Sequence, residues 1–373
     1  MRISVFTWHG VVKAYSCLLY LRETLTMNND VDIWSCNHKT DFNESELNWF
    51  HSFLDTWYGN IKRVRVYFGR LHVMYAALHS DVLIINDLDF FRVGFIVKKL
   101  YPKKIVIHYN TEICGGADVK YPTFMKRFYE KNADFPDLII ECLKERAEYR
   151  RDTFNINKKI YVINNTLPES KVDEALKQDV DVSQYLRFNT AEALTLIYAG
   201  GCNLSRSLGD ILNCADDFDG KLNFLFFCYG TENDYRKVEE ICNKRHNCYL
   251  YHAVDRITLL NVMAECDIGI QYYDPDYSIN HYLAAPSKFF EYVSVGLNVV
   301  SSNNHGIDRI IQEYDLGVCF TKEEGIKGGI EMLLKKGLNS KENIKKVFRE
   351  RLCYEVDSQN AIDAIIKLID KND

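Results

Sequence analysis

The sequence predicts an α/β protein of two alternating units, each a parallel sheet covered by helices on both faces. Three observations predict it. Short runs rich in β-branched residues recur along the chain, segments with helical spacing separate them, and the rhythm pauses once before it restarts. The chain has 373 residues, and at about 150 residues per domain that length suits two substantial domains.

The first series opens with ISVFT (Ile3 to Thr7) and continues through VDIWSC (Val31 to Cys36), RVRVYF, DVLIIN (Asp81 to Asn86) and KIVIHY (Lys104 to Tyr109), all read as strands. Segments such as AYSCLLYLRETL supply the helices between them. LIIE (Leu138 to Glu141) and KIYVIN (Lys159 to Asn164) extend the series. The pattern then weakens through Thr166, Pro168 and a polar, acidic run, which reads as a linker over 168–193. A second series follows: TLIYAGG, NFLFFCYG, CYLYHAV, DIGIQYY and LNVVSS. The expected domains are therefore 1–167 and 194–355. A closing amphipathic helix over 356–373, capped by Asp357 or Ser358, is expected to pack back toward the first domain.

Composition narrows the function. Hydrophobic residues are 47% and charged residues 26%, which is globular usage and excludes a disordered chain. With 46 Lys plus Arg against 52 Asp plus Glu, the net charge of -6 argues against a dedicated duplex-DNA binder, because neutralising phosphates takes a basic face, and no nucleic-acid partner is expected; a local basic patch stays open. The 12 cysteines contain no C-x-x-C pair and read as reduced, core-filling thiols, not as a zinc site or a disulfide frame. MRISVF does not read as a signal peptide, and no apolar run reaches the roughly 18 to 20 residues that span a bilayer. A cytoplasmic protein is expected, at most lying on the inner face of the cell membrane.

The chemistry concentrates in AAPSKFFEYVSVGLNVV (Ala284 to Val300). Pro286 suits a first helical turn, which puts Ser287 and Lys288 where free N–H groups and the macrodipole favour an anion. Glu291 stands three residues after Lys288 on the same helix face, a pair worth about 0.2–0.5 kcal/mol on a plain surface helix. Gly296 stops that helix. A second such start is TLIYAGGCNLSRSLGDIL, where Gly200 and Gly201 follow a buried strand and let backbone N–H groups approach a phosphate. Arg206 can grip a diphosphate with two parallel hydrogen bonds. In the first half, Glu112 lies just past the carboxyl end of KIVIHY, where open α/β sheets bind ligands, and can act as a base or orient an acceptor. His9 and Gly10 follow the first strand at the same edge. Asp87-Leu88-Asp89 spells D-x-D but reads as a helix start, so no metal site is expected.

These pieces resemble the GT-B glycosyltransferases, close to family 4. The resemblance rests on the strand leading through Gly200 and Gly201 to Arg206, on FFCYGTEND, YHAVDRITLLNVMAECDIGIQYY and PSKFFEYVSVGLNVV, and in the first half on KIVIHYNTEI and DLIIECLKERAEYRRDTFNINKKIYVINNTLP. It implies two Rossmann-like domains facing each other across a cleft, and a hexosyltransferase that uses a nucleotide-sugar donor with retention and without a metal or other cofactor. Lys288, Arg206 and Glu112 would be the catalytic residues. Gly200, Gly201, Arg206, Ser287, Lys288 and Glu291 would bind the donor, with Glu291 on the ribose hydroxyls. Asn280 and His281 would help to hold the donor sugar, and His9, Gly10 and Thr111 would contact acceptor or sugar.

The chain departs from the family pattern at three places. Leu283 replaces the acid expected eight residues before Glu291, Gly201 replaces a frequent arginine, and Thr111 replaces a histidine before the acid. The implied acceptor is a glycan or lipid-linked glycan, as in cell-surface polysaccharide biosynthesis. Lys62, Arg63, Arg65, Arg70, Lys98, Lys99, Lys103 and Lys104 mix with aromatics in the first half and suit an anionic membrane surface. A sugar-nucleotide epimerase and a non-catalytic binding subunit of a synthase complex are the competing readings.

Overall fold

The computed structural model describes residues 1–7, 16–35, 46–52, 62–86, 88, 90–113, 122–188, 193–204 and 207–371. They fall into two units, Met1–Asn165 with Ser358–Asp373, and Thr166–Asp357. In the first unit the strands are β1 (Arg2–Phe6), β2 (Asp30–Ser35), β3 (Phe50–Ser52), β4 (Val82–Asn86), β5 (Ile105–Asn110), β6 (Leu138–Glu141) and β7 (Ile160–Val162). They pair in parallel in the order β3-β2-β1-β4-β5-β6-β7. Between them run α1 (Ser16–Leu25), α2 (Lys62–Leu78), α3 (Phe91–Leu100), α4 (Thr123–Asn132) and α5 (Lys144–Phe154).

The apolar runs explain the strands. Every residue of β4 is buried, as expected of a parallel strand covered on both faces. Phe91 at the start of α3 gathers the rings of His108, Tyr129 and Phe135 at 4.8, 4.9 and 4.8 Å. RVRVYF, expected as a strand, lies instead within α2. Its alternation mimics a half-buried strand, but Val73, Ala76 and Ala77 further along form one helical face, buried with Val93 and Val97 of α3. Tertiary burial overrides the local β-preference. The strand of that region is β3, too short to announce itself.

The second unit begins with α6 (Glu169–Leu176), inside the segment read as a linker. Val172 and Ala175 are buried, and Asn261 Nδ2 donates to the Ala175 carbonyl at 2.9 Å, so an acidic run that looks solvated has one face docked. Then come β8 (Leu194–Gly201), α7 (Ser207–Cys214), β9 (Leu222–Tyr229), α8 (Glu232–Cys242), β10 (Cys248–His252), α9 (Arg256–Glu265), β11 (Ile268–Gln271), α10 (Ile279–Tyr282), α11 (Ser287–Ser294), β12 (Asn298–Ser302), α12 (Ile307–Glu313) and β13 (Gly317–Phe320). α13 (Gly325–Lys336), α14 (Lys341–Val347) and α15 (Tyr354–Asp370) complete the chain. α15 starts before Asp357 and Ser358, so neither residue caps it; the Tyr354 N–H donates to the Leu167 carbonyl at 2.9 Å. The second sheet is also parallel, in the order β10-β9-β8-β11-β12-β13.

Both sheets follow the Rossmann rule. The strand order turns back once, between β1 and β4 in the first unit and between β8 and β11 in the second. Ligands of such sheets sit outside the carboxyl ends of the strands at these switch points.

Candidate functional site

In the second unit the switch point is filled by one side chain. β8 and β11 pair only through Leu196 with Ile268 and Ile197 with Gly269. Beyond that register the Tyr292 hydroxyl joins the strands, accepting from the Ala199 N–H at 3.2 Å and donating to the Ile270 carbonyl at 3.3 Å. Burial pushes the Tyr292 phenol well above its ordinary pKa, so the proton it donates is retained. A Cβ at Gly269 would stand 2.4 Å from the Tyr292 ring, so only glycine lets the ring lie on β11.

Tyr292 thereby fixes α11. A helix that leads from β11 to the parallel β12 runs against the strands, and its first residues stand at the carboxyl edge. Pro286 is the N-cap residue, at φ -74 and ψ 130, and not part of the first turn as expected; no side chain caps the helix. Ser287 and Lys288 are its first residues, so their N–H groups have no intrahelical acceptor.

A buried carboxylate underlies this turn. The Glu291 side chain is 1% exposed; Lys288 Nζ donates to its Oε2 at 2.6 Å, and Arg256 Nη2 lies 3.5 Å from its Oε1. Lys288 and Arg256 are each about one-third exposed, at 31% and 33%. Two cations on one carboxylate leave a net positive cluster that still reaches solvent. Arg256 was not singled out from the sequence. It opens α9, whose N-cap Asp255 accepts from the Thr258 N–H at 3.0 Å and from its hydroxyl at 2.7 Å. These bonds hold the Asp255 carboxyl below its ordinary range. The capping aspartate followed by arginine was the signal available.

Gly200 and Gly201 end β8, as expected. A Cβ at Gly200 would sit 2.6 Å from the Tyr198 hydroxyl, whereas at Gly201 the nearest atom is the Tyr229 carbonyl oxygen at 3.8 Å. Glycine at the first position leaves room for the end of the Tyr198 side chain, and the second position has room for a Cβ. Arg206, His9 and Gly10 lie outside the described residues, as do Asp87 and Asp89.

The segment before α11 is pinned from beneath. Asn304 Nδ2 donates to the carbonyls of Tyr273 at 2.9 Å and His281 at 2.7 Å, and the Ser278 hydroxyl caps α10 through the His281 N–H. The His281 ring packs against Tyr273 and Tyr277 at 5.5 and 4.7 Å. Asn280 is buried, and so is Leu283 at 2% exposure. The position of the family's acid is thus a core position here.

In the first unit the carboxyl edge is built from buried charges. Thr111 and Glu112 follow β5. The Thr111 carbonyl accepts from Arg146 Nη1 at 2.7 Å, and its hydroxyl accepts from Asn86 Nδ2 at 3.3 Å. The Thr7 hydroxyl donates to Asn86 Oδ1 at 2.9 Å, which ties β1 to β4 at that unit's switch point. Glu141, at the end of β6, accepts at Oε1 from Arg150 Nη1 at 2.8 Å and Asn110 Nδ2 at 2.9 Å. Arg150 Nη2 lies 2.6 Å from His108 Nδ1. The side chains of Glu141 and Arg150 are 2% and 3% exposed. Burial pushes the Glu141 carboxyl upward, against the pull of Arg150, Asn110 and Arg146. Of these charges the sequence marked Glu112 alone; Glu141, Arg146 and Arg150 were not singled out.

Among the described residues, no group of three or more His, Cys, Asp or Glu side chains is arranged to hold a metal ion. The described cysteines are free thiols, and burial raises several, Cys142 and Cys214 to about 12.

No family model and no curated protein sequence matches the chain. Solved structures do match it in fold. Anabaena Alr3699/HepE in complex with UDP superposes with a TM-score of 0.75 at 13% identity, over 98% of this chain and 100% of that one. A glycosyltransferase from Rickettsia africae ESF-5 gives 0.72 at 10% identity, over 99% and 98%. A Listeria monocytogenes protein provisionally assigned as a UDP-N-acetylglucosamine 2-epimerase gives 0.63 at 13% identity, over 100% and 97%. The chain is α/β with the GT-B fold, as the resemblance implied. Because fold does not fix chemistry, the site must carry the functional argument.

Proposed function

We propose that the protein is a glycosyltransferase that moves a hexose from a nucleotide sugar to a hydroxyl of a glycan or lipid-linked glycan. One observation carries this: the Lys288–Glu291–Arg256 cluster under the uncapped start of α11, at the carboxyl edge of the second sheet. A diphosphate suits it, because Lys288 has three donors and can keep Glu291 while giving another to a phosphate oxygen. Fold neighbours crystallised with UDP and with UDP-glucose support a uridine nucleotide sugar as donor.

Bond cleavage leaves new negative charge on the departing diphosphate. Lys288, Arg256, the N–H groups of Ser287 and Lys288, and Arg206 together stabilise that charge more than the ground state, without a metal or other cofactor. The Glu291 oxygens accept from ribose hydroxyls as Lys288 turns toward phosphate. Glu112 orients or deprotonates the acceptor hydroxyl. Thr111, His9 and Gly10 are assigned to contacts with acceptor or sugar, while Asn280 and His281 shape the sugar end of the donor site. Retention is part of the proposal, on the resemblance of the sequence to family 4.

Calorimetry with UDP tests this reading. Lys288→Ala is expected to weaken binding about 10-fold or more, since a charge-assisted hydrogen bond is worth about 1.5–3 kcal/mol; Glu291→Ala and Arg206→Ala should also weaken it. Unchanged affinity in all three variants would sink the site. In the presence of UDP-glucose but no acceptor, mass-neutral isomer formation would mark an epimerase, the activity assigned provisionally to one fold neighbour. Binding with no turnover across an acceptor panel would favour a binding subunit, a reading that buried Leu283 keeps in play.

A place at the inner membrane face is part of the proposal. Leu71, Tyr75, Ile96, Leu100 and Tyr101 are exposed on and just after the packed helices α2 and α3. Lys99, Lys103 and Arg70 remain beside them as cations. The expected basic face is thinner than the sequence suggested, however. Lys98 is paired with Asp137 at 2.7 Å, Lys104 donates to the carbonyls of Leu78 and Ser80, and the side chains at 62–67 lie outside the described residues. Among the described residues no helix is long and apolar enough to cross a membrane. Co-sedimentation with phosphatidylglycerol vesicles should be salt-sensitive and fall on Lys99→Glu; no salt-sensitive binding to these vesicles would remove the membrane from the proposal.

A further inference from the structure

Glu141 uses only one of its two oxygens. Oε1 accepts from Arg150 and Asn110, while Oε2 is buried and meets no hydrogen-bond donor among the described residues. A buried acceptor left without a donor costs about 1–3 kcal/mol, and more if it is charged. The side chain lines a small cavity at the carboxyl ends of β5 and β6. Glu141, Asn110, Arg146 and Arg150 line it with polar groups, and Ile113, Tyr129, Tyr149 and Phe154 add aromatic and aliphatic surface.

The charges select what can enter. Arg146 and Arg150 line the same space, so a cation is repelled, and the carboxylate disfavours an anion. A neutral hydrogen-bond donor remains. Its carrier must also present a C–H surface to the tyrosine, phenylalanine and isoleucine, because burying those against a fully polar group leaves hydrogen bonds unmade. The edge of a sugar or polyol, with alternating hydroxyl and C–H groups, meets both demands. The cavity admits one such hydroxyl and not a whole ring.

The geometry points to a hydroxyl-binding subsite in the first unit, in which Glu141 Oε2 accepts from a hydroxyl of a sugar or polyol. Identifying that sugar with the acceptor rests on the transfer reading above; the polar complement of the cavity does not. Arg146 joins the subsite to the Thr111–Glu112 turn through its bond to the Thr111 carbonyl, so a hydroxyl at Glu141 marks one end of the acceptor and Glu112 borders the other.

The test uses the full chain and methyl glycosides of glucose, galactose and mannose as probes, with saturation-transfer NMR giving their affinities. At least one glycoside is expected to bind, and Glu141→Gln to weaken it 10-fold or more, because the strong acceptor becomes an amide donor. Equal affinity in both proteins, or no binding by the unmodified chain, overturns the subsite. Crystals of the unmodified chain soaked in the glycoside need no variant to fold: a sugar hydroxyl within hydrogen-bond distance of Oε2 supports the subsite, and a water molecule alone there overturns it. UDP titrated into the same samples reads the nucleotide proposal independently of this one.

Discussion

The carboxyl edges of the two sheets share a strand order and differ in their charges. In the second unit, Lys288 and Arg256 stand on a single buried carboxylate and remain one-third exposed, so positive charge is left over at the surface. In the first unit Arg150 is paired with Glu141, Arg146 donates to the Thr111 carbonyl and the Cys142 sulfur, and all of these side chains are buried, so their charge stays beneath the surface. The switch points differ in kind as well. Tyr292 closes one with a ring set on a glycine, while Thr7, Asn86 and Thr111 close the other with a chain of side-chain hydrogen bonds. The anion site proposed on one sheet and the hydroxyl subsite proposed on the other rest on this difference in charge.

The contrast predicts unequal costs for removing a cation. Arg150→Met leaves Glu141 buried without its partner and should cost about 3–5 kcal/mol. Lys288→Ala removes a part-exposed partner of the buried Glu291, but Arg256 still faces that carboxylate, so its cost should be smaller, at about 1–3 kcal/mol. Urea unfolding followed by fluorescence compares them. Adding Glu141→Gln to Arg150→Met should recover much of the loss, since the stranded charge goes. Equal costs for the two single variants would mean that the first-unit charges are not a closed buried network.

How much was legible follows from what hydropathy can see. Five of the six described strands of the second unit were legible to within a residue or two as apolar runs, while the short β13 was not. Ser287, Lys288 and Glu291 were legible from helix spacing, and Lys288 and Glu291 do meet. The α5 string KERAEYRRDTF was legible only as polar, yet Glu145, Arg146 and Arg150 are buried on it. Buried charges satisfied by one another leave no apolar face, and their partners Glu141 and His108 come from other strands. Arg256 was hidden for the same reason, since its partner lies 35 residues away by subtraction of the two residue numbers. RVRVYF failed in the opposite direction: a local alternation was visible, and the helical face that overruled it lay downstream.

The smallest effect concerns how the second switch point holds α11. Gly269→Ala puts a methyl group into the Tyr292 ring, at 2.4 Å from its Cγ, and overpacking of this sort costs about 1–3 kcal/mol. Tyr292→Phe keeps the ring and loses only the bonds to Ile270 and Ala199, at about 1 kcal/mol for a typical hydrogen bond. The two variants separate position from stability. Moving the ring off β11 shifts the first turn of α11 and the Lys288–Glu291 pair with it, so Gly269→Ala should weaken UDP binding several-fold beyond what its stability loss accounts for. Tyr292→Phe leaves the ring seated and should bind UDP almost as the unmodified chain does. If calorimetry found both variants equally impaired, the phenol would matter through its hydrogen bonds alone. The glycine would then be explained by strand packing and not by placement of the helix.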